Sequence, residues 1–170
     1  MKEIKFEHTF ACDVDSFWNR MFFDQAFNHA LFREHLGFLA WDVKVEQDTD
    51  EVRKQTVTVK PPVADIPAAV KKVMGDNFGY AEHGTFDKRT KRYAVKVEPN
   101  VAKDKTTVQG EIWVEKVDDT HCRRFAKFSI EVKIMMLGKL IEDRIAEDMS
   151  QSFEKGAAFT HSWIEQGKLG

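Results

Sequence analysis

The sequence is short of most residues and motifs that would announce a function. Only two cysteines, Cys12 and Cys122, occur among 170 residues, with no C-x-x-C spacing. That excludes a disulfide framework and a cysteine-rich zinc site, and implies free thiols in a reducing cytoplasm. No apolar run approaches the roughly 20 residues that cross a bilayer, and the charged start Met1-Lys2-Glu3-Ile4-Lys5 leaves no room for the apolar core of a signal peptide. Charge of one sign is missing too. With 26 basic and 28 acidic residues the net charge is −2, so the chain lacks the basic surplus of a nucleic-acid binder. There is no G-x-G-x-x-G, P-loop, H-E-x-x-H, G-x-S-x-G or EF-hand loop. The six histidines are scattered, and His29 and His35, six apart, are poorly spaced to share a metal on a helix. No cofactor, no metal and no catalytic motif is therefore expected. What remains is an ordinary globular composition, 42% hydrophobic and 32% charged, at a length that suggests one domain spanning 1–170.

Periodicity supplies the architecture. Ile4, Phe6, His8 and Phe10 alternate with Lys5, Glu7 and Thr9, the period of a half-buried strand. Asp13 or Asp15 can cap the next segment, and two short helices fit 14–22 and 24–36, with Gly37 as a stop. Eight of the 14 phenylalanines fall in the first 38 residues, so these helices must pack on something large. Alternation returns at Leu39, Trp41, Val43 and Val45, then at Gln55, Val57 and Val59, and Pro61-Pro62 ends that hairpin. Residues 63–75 read as an inserted amphipathic helix, capped by Asp65 and closed by Gly75. Four more strands follow near 78–87, 91–98, 106–117 and 121–134, joined by short turns that require antiparallel pairing. From about Lys139 to Gln166 a proline-free helix of roughly 42 Å carries the stripe Ile141, Ile145, Met149, Ser152, Gly156, Phe159, Trp163, with Glu142, Asp143, Glu147 and Glu154 on the outer face. The expected fold is α+β. A curved seven-stranded antiparallel sheet wraps a long C-terminal helix, and two short helices follow the first strand.

A curved sheet and a straight helix cannot touch along their whole length. The stripe is bulky at its ends and small at Ser152 and Gly156, so the mismatch should open into a chamber there. Ligand pockets run to about 300–1,000 Å³. Empty apolar space costs on the order of 24 cal/mol per Å³, so even about 300 Å³ would cost roughly 7 kcal/mol, comparable to the whole stability of a domain. Such a chamber should be filled, hydrated or open. The expected lining is His8, Phe10, Leu39, Trp41, Val57, Val59, Tyr80, Glu82, Tyr93, Val95, Ile112, Phe128, Ile130, Met149, Ser152, Phe153, Gly156 and Phe159. A few polar groups in an apolar chamber suit an amphipathic ligand.

Three segments carry a family resemblance: Val57-Thr58-Val59-Lys60-Pro61-Pro62, Ile66-Pro67-Ala68-Ala69-Val70-Lys71-Lys72-Val73-Met74-Gly75, and Val132 to Glu142 with its glycine before an isoleucine–glutamate pair. With the order of elements from Ile4 to Gln166, they resemble a bacterial, functionally unassigned branch of the START-like (SRPBCC) helix-grip superfamily. That branch often has proline where this chain has Met136. The resemblance implies binding or transport of a hydrophobic or amphipathic, lipid-like molecule between sheet and final helix, and no catalytic residue can be matched. An enzyme of cyclase, dehydratase or hydrolase type using the same chamber is the alternative, with His8, Glu82 or Tyr80 as acid/base candidates. A protein-interaction module is a third reading. Lys71 and Lys72 beside the apolar residues of 63–75 suggest a lid capable of transient contact with an anionic membrane.

Overall fold

The computed structural model describes residues 1–63 and 65–169. Seven strands form one curved antiparallel sheet: β1 (Lys2–Phe10), β2 (Ala40–Asp48), β3 (Val52–Lys60), β4 (Tyr80–Asp87), β5 (Arg92–Pro99), β6 (Thr106–Lys116) and β7 (Cys122–Val132), in the spatial order β1-β7-β6-β5-β4-β3-β2. Only β1 pairs out of sequence: its neighbour is β7, which places Phe10 opposite Cys122 and Ile4 opposite Phe128. The 28-residue helix α4 (Gly138–Glu165) crosses the concave face and packs on β1 and β7. The expected α+β helix-grip architecture is the observed one.

Helices α1 (Val14–Phe17) and α2 (Gln25–Asn28) each begin as one α-helical turn and then widen into π-helical turns, Trp18–Phe22 and His29–His35. Both starts are capped: Asp13 Oδ1 accepts from the Ser16 N–H at 2.9 Å, and Asp24 Oδ2 from the Phe27 N–H at 2.8 Å. The Asn28 side-chain amide ties the two segments together by donating to the Met21, Phe22 and Asp24 oxygens; the Met21 and Asp24 carbonyls also accept backbone N–H groups. Gly37 then turns the chain out at φ +72°.

Two sequence expectations about local structure are corrected. Helix α3 (Ala68–Met74) starts at Ala68, with Pro67 before it, and Asp65 does not cap it. Asp65 adopts φ +54°, and its carbonyl accepts from Arg144 Nη1 on α4 at 2.9 Å, so the residue serves the α3–α4 contact. Glu142 does not lie on the solvated face of α4. It is 9% exposed, and its Oε1 accepts from the Val132 N–H at 2.9 Å, because that amide, at the very end of β7, would otherwise be buried without a partner.

The interior divides into two unequal halves. Beneath α1 the rings of Phe17, Trp18, Phe22, Phe23, Phe86 and Tyr93 interlock at centroid distances of 4.5–6.1 Å. Glycines in the sheet make room for such rings. A Cβ on Gly84 would stand 1.7 Å from the Tyr93 hydroxyl, and one on Gly110 would stand 2.4 Å from the Phe128 ring. The other half, under the N-terminal part of α4, has no such aromatic plug.

Gly156 is buried against α2, and a Cβ there would meet only Leu31 Cδ2 at 3.9 Å, an ordinary contact. The small residue of the α4 stripe therefore faces a neighbouring helix. Gly156→Ala should raise stability by about 1 kcal/mol through helix propensity alone, or roughly 2–4 °C in Tm; thermal denaturation reads it, and a lower Tm would show that α2 sits closer to α4.

Candidate functional site: a recess with one carboxyl

Cross-strand register decides which side chains face α4. One row across the sheet runs Val57–Glu82–Val97–Val108–Ile130. The adjoining positions on the same face are Trp41, Val59, Tyr80 and Val43. Toward β6 and β7 the row is closed, with Val108 4% and Ile130 0% exposed under α3 and α4. Toward β2–β5 it stays open. Trp41, Val43, Tyr80, Glu82 and Val97 are only half-buried, although they occupy the middle of a concave face that a helix crosses. Opposite them, Ile145, Met149 and Ser152 of α4 are half-buried as well, and the end of α2 contributes half-buried Phe32 and Leu36. α4 leans on β1 and β7, and the concave side of β2–β5 bordered by these half-buried residues is the candidate recess.

Two polar groups stand on its sheet wall. Glu82 is set between Val57 and Val97 on the paired strands, and its carboxyl has no hydrogen-bond or ion-pair partner among the described residues. Loss of water raises its pKa to about 7. The Tyr80 phenol is pushed well above its ordinary range, first by burial and then by the charges of Glu82 and of Asp148 on α4. Asp148 is held by Arg144, whose Nε donates to both carboxylate oxygens at 3.0 Å. At 100° per residue, Ser152 and Ile145 share the flank of α4 that carries Asp148. Glu82 and Asp148 are acidic, and Arg144 is engaged with Asp148.

The expected lining residues separate into three groups. Trp41, Tyr80, Glu82, Met149 and Ser152 are half-buried and border the candidate recess, while Val57 and Val59 share its sheet face but are buried under Phe38. His8, Phe10, Tyr93, Val95, Ile112, Phe128, Ile130, Phe153, Gly156 and Phe159 pack within the core or against the helices: Phe153 stacks on Phe6 at 4.3 Å, and Phe159 stands 5.6 Å from Phe27. Leu39 precedes β2 and is 66% exposed; its N–H bonds the Lys60 carbonyl at 2.8 Å, which extends the hairpin while the side chain points to solvent. Sequence reasoning omitted Val43 and Val97 from the lining, although they share parity with Trp41 and Val95. It also had no signal for Phe32 and Leu36, which reach the recess only because α2 folds back over β2 and β3.

His8 belongs to another site. Arg124 Nη2 donates to His8 Nδ1 at 2.9 Å, so Nε2 carries the ring proton and donates to Glu154 Oε1 at 3.1 Å. Burial, and then the Arg124 charge, lower the His8 pKa. The guanidinium lies between the Phe10 and Phe153 rings at 5.1 and 5.0 Å, and burial lowers its pKa to about 10. This chain of three polar groups joins β1, β7 and α4 on the packed side of the molecule, away from Glu82. Cys12 and Cys122 are both buried, with their sulfurs 3.8 Å apart. Outside the sheet, an open groove of about 800 Å³ runs over Arg92, Lys96, Glu111, Trp113 and Lys127, where Arg92 and Glu111 already pair with each other. Among the described residues no cluster of three or more His, Cys, Asp or Glu could hold a metal, and no helix is long and apolar enough to cross a membrane.

Comparison with known structures identifies the architecture. A START superfamily protein from Mycobacterium smegmatis superposes with a TM-score of 0.59 at 7% identity, covering 96% of this chain and 97% of that one. Norcoclaurine synthase from Thalictrum flavum gives 0.64 at 14% identity, with 96% and 86% covered. An aromatase/cyclase from Streptomyces sp. R1128 gives 0.54 at 11% identity, with 99% and 93% covered. At these identities the likeness is one of fold: the chain has the START-like helix-grip fold. No curated protein matches it by sequence. The family model described as "Protein of unknown function (DUF2505)" matches residues 5–164.

Proposed function

The chain belongs to the DUF2505 family, which brings a fold but no assigned activity, and from that premise we propose that it binds or carries a hydrophobic or amphipathic small molecule in the recess between β2–β5 and α4. The observation that carries this reading is the half-buried apolar wall of Trp41, Val43 and Val97 on the concave face, facing half-buried Ile145 and Met149. Left in water, that surface costs about 25 cal/mol for each Å² a ligand could cover. The polar end of the ligand is selected by charge. Glu82 and Tyr80 accept from a hydroxyl or an amine, whereas a carboxylate or phosphate would meet Glu82 and Asp148 with like charge. Where Glu82 is ionised, a neutral or amine-bearing lipid-like molecule fits better than a fatty acid. In this reading α3 flanks the recess; the expected 63–75 segment also contains Ala64, which lies outside the described residues. Val70, 1% exposed, docks α3 on Val108, Ile130 and Ile141, and Lys71 and Lys72 face outward toward any anionic surface. The buried free thiols suit a cytoplasmic setting.

Native mass spectrometry of protein purified from its own host, followed by solvent extraction, tests the reading; a bound amphiphile is the expected adduct. Ser152→Trp should keep the fold and Tm while cutting uptake of a long-chain amine or alcohol by roughly tenfold or more, since each lost 1.4 kcal/mol is tenfold. Unchanged uptake by the folded variant would overturn the placement.

A second reading is favoured by one observation, the near-neutral pKa of Glu82, which suits a general acid or base at working pH. Two solved neighbours are named as enzymes, one of them with dopamine and hydroxybenzaldehyde bound. Under that reading Glu82 and Tyr80 act on a bound substrate, and Glu82→Gln abolishes turnover while sparing ligand binding. His8 has no part in it, being committed to Arg124 and Glu154.

A further inference from the structure

The junction between β7 and α4 holds two large apolar side chains out in water. Met135 is 90% and Met136 95% exposed, and Leu140 one turn later is 41% exposed. These residues are not on a loose loop. Ile134 and Leu137 on either side pack inward against the cluster around Val70 and Ile141. The Leu137 and Gly138 N–H groups both bond the Ile134 carbonyl, at 3.2 and 2.8 Å, and the Lys133 N–H bonds the Lys105 carbonyl at 2.7 Å. A Cβ on Gly138 would stand 2.3 Å from the Val132 oxygen, so the chain can pass there only as glycine. Met136 adopts φ +67°, a left-handed conformation that costs an ordinary residue free energy and here directs its side chain away from the body.

The surroundings are basic. Residues 133–140 contain Lys133 and Lys139 and no acid. Exposed Lys71 and Lys72 belong to α3, which packs on the same cluster. The nearest carboxylates on α4 are occupied: Glu142 takes the Val132 N–H and lies 3.5 Å from the amino terminus, and Asp143 binds Lys2 Nζ at 2.6 Å. Lys133 pairs with Glu131 at 3.3 Å, so Lys139, Lys71 and Lys72 are the exposed cations beside this rigid apolar point, which fits a surface that is apolar below and anionic above.

We propose that the β7–α4 junction is a docking point for anionic lipid bilayers, with Met135, Met136 and Leu140 entering the acyl region and Lys139, Lys71 and Lys72 meeting the headgroups. Val97, Ile145 and Met149 of the recess pack on the same cluster as α3 and this junction, so docking would bring the recess close to the membrane. The docking itself does not depend on what the recess binds.

The test uses the full chain with vesicles of phosphatidylglycerol and phosphatidylcholine in equal parts, and with phosphatidylcholine alone. Wild type should co-sediment with the anionic vesicles, lose most binding at high salt, and bind neutral vesicles weakly. M135S/M136S changes only exposed side chains, so it should keep the circular dichroism spectrum and Tm of wild type while partitioning roughly tenfold or more below it, as two inserted apolar groups are removed. K72E/K139E should lose the salt-sensitive part. Failure of wild type to bind anionic vesicles, or wild-type binding by folded M135S/M136S, would overturn the proposal. So would sedimentation showing that the methionines are buried between two copies of the chain. Native mass spectrometry of the recess ligand is a separate readout and can fail independently.

Discussion

Glu82→Gln should be more stable than the wild-type protein at pH 8 and equal to it at pH 4. The sign follows from where the proton sits. Unfolded, the carboxyl titrates near 4.5; folded, near 7. Between those values the native state holds a proton that the unfolded state has released, so native stability is complete below about pH 4.5 and falls as pH rises, until the whole cost is present above 7. Two to three pKa units correspond to roughly 3 kcal/mol, and water reaching the recess reduces this toward about 2. At 2–4 °C per kcal/mol the variant should melt roughly 5–10 °C above wild type at alkaline pH. Other groups drive stability the opposite way. His8, with its lowered pKa, is bound neutral and destabilises the fold as acid protonates it. Only the difference between the two proteins isolates Glu82, measured by thermal unfolding across the pH range. A gap equal at pH 5 and pH 8 would mean that the carboxyl is well hydrated and the recess is not apolar. An amine-bearing ligand should narrow the gap by supplying the missing partner, whereas a fatty acid should not.

The sequence disclosed the wall of this recess more fully than its boundaries. Alternation marked the faces of the first three strands, which puts Trp41, Val57 and Val59 on one side, and the pairing of β3 with β4 adds Tyr80 and Glu82. It could not say where along the face the helix would touch. That depends on how far α4 leans toward β1 and β7, a lean set by Phe153 on Phe6 and by Arg124 reaching Glu154 through His8. For the same reason the centre of the α4 stripe misled: Gly156 looks like a notch over the sheet, yet the tilt turns it toward Leu31. The aromatic excess of the first 38 residues was visible, but not that π-helical widening would drive six rings into one half of the interior. Such widening has no composition of its own. Glu142 was misplaced because helical position marks a face but not the strand end that will need an acceptor.

Trp18→Ala should cost more than any other single truncation in the chain, about 3–5 kcal/mol, or roughly 10 °C in Tm. Trp18 is 1% exposed and touches four rings, with Phe86 at 4.5 Å and Phe22 at 4.9 Å between centroids. Its removal opens a cavity that the π-helical turn is poorly placed to close, because Asn28 pins that turn at the Met21 and Phe22 carbonyls. Trp18→Phe should cost much less: it keeps a ring in the cluster and removes an indole N–H that is buried without a partner among the described residues. What matters is the contrast with Ser152→Trp. If the interior is two compartments, one packed and one open, Trp18→Ala lowers Tm and leaves ligand affinity near wild type below the melting range, while Ser152→Trp does the reverse. Both quantities come from one set of melts with and without an amphiphile, since a ligand at a hundred times its Kd raises stability by about 2.7 kcal/mol. Equal loss of affinity in both variants would mean that the aromatic cluster and the recess form one continuous cavity, and that α1 belongs to the binding site.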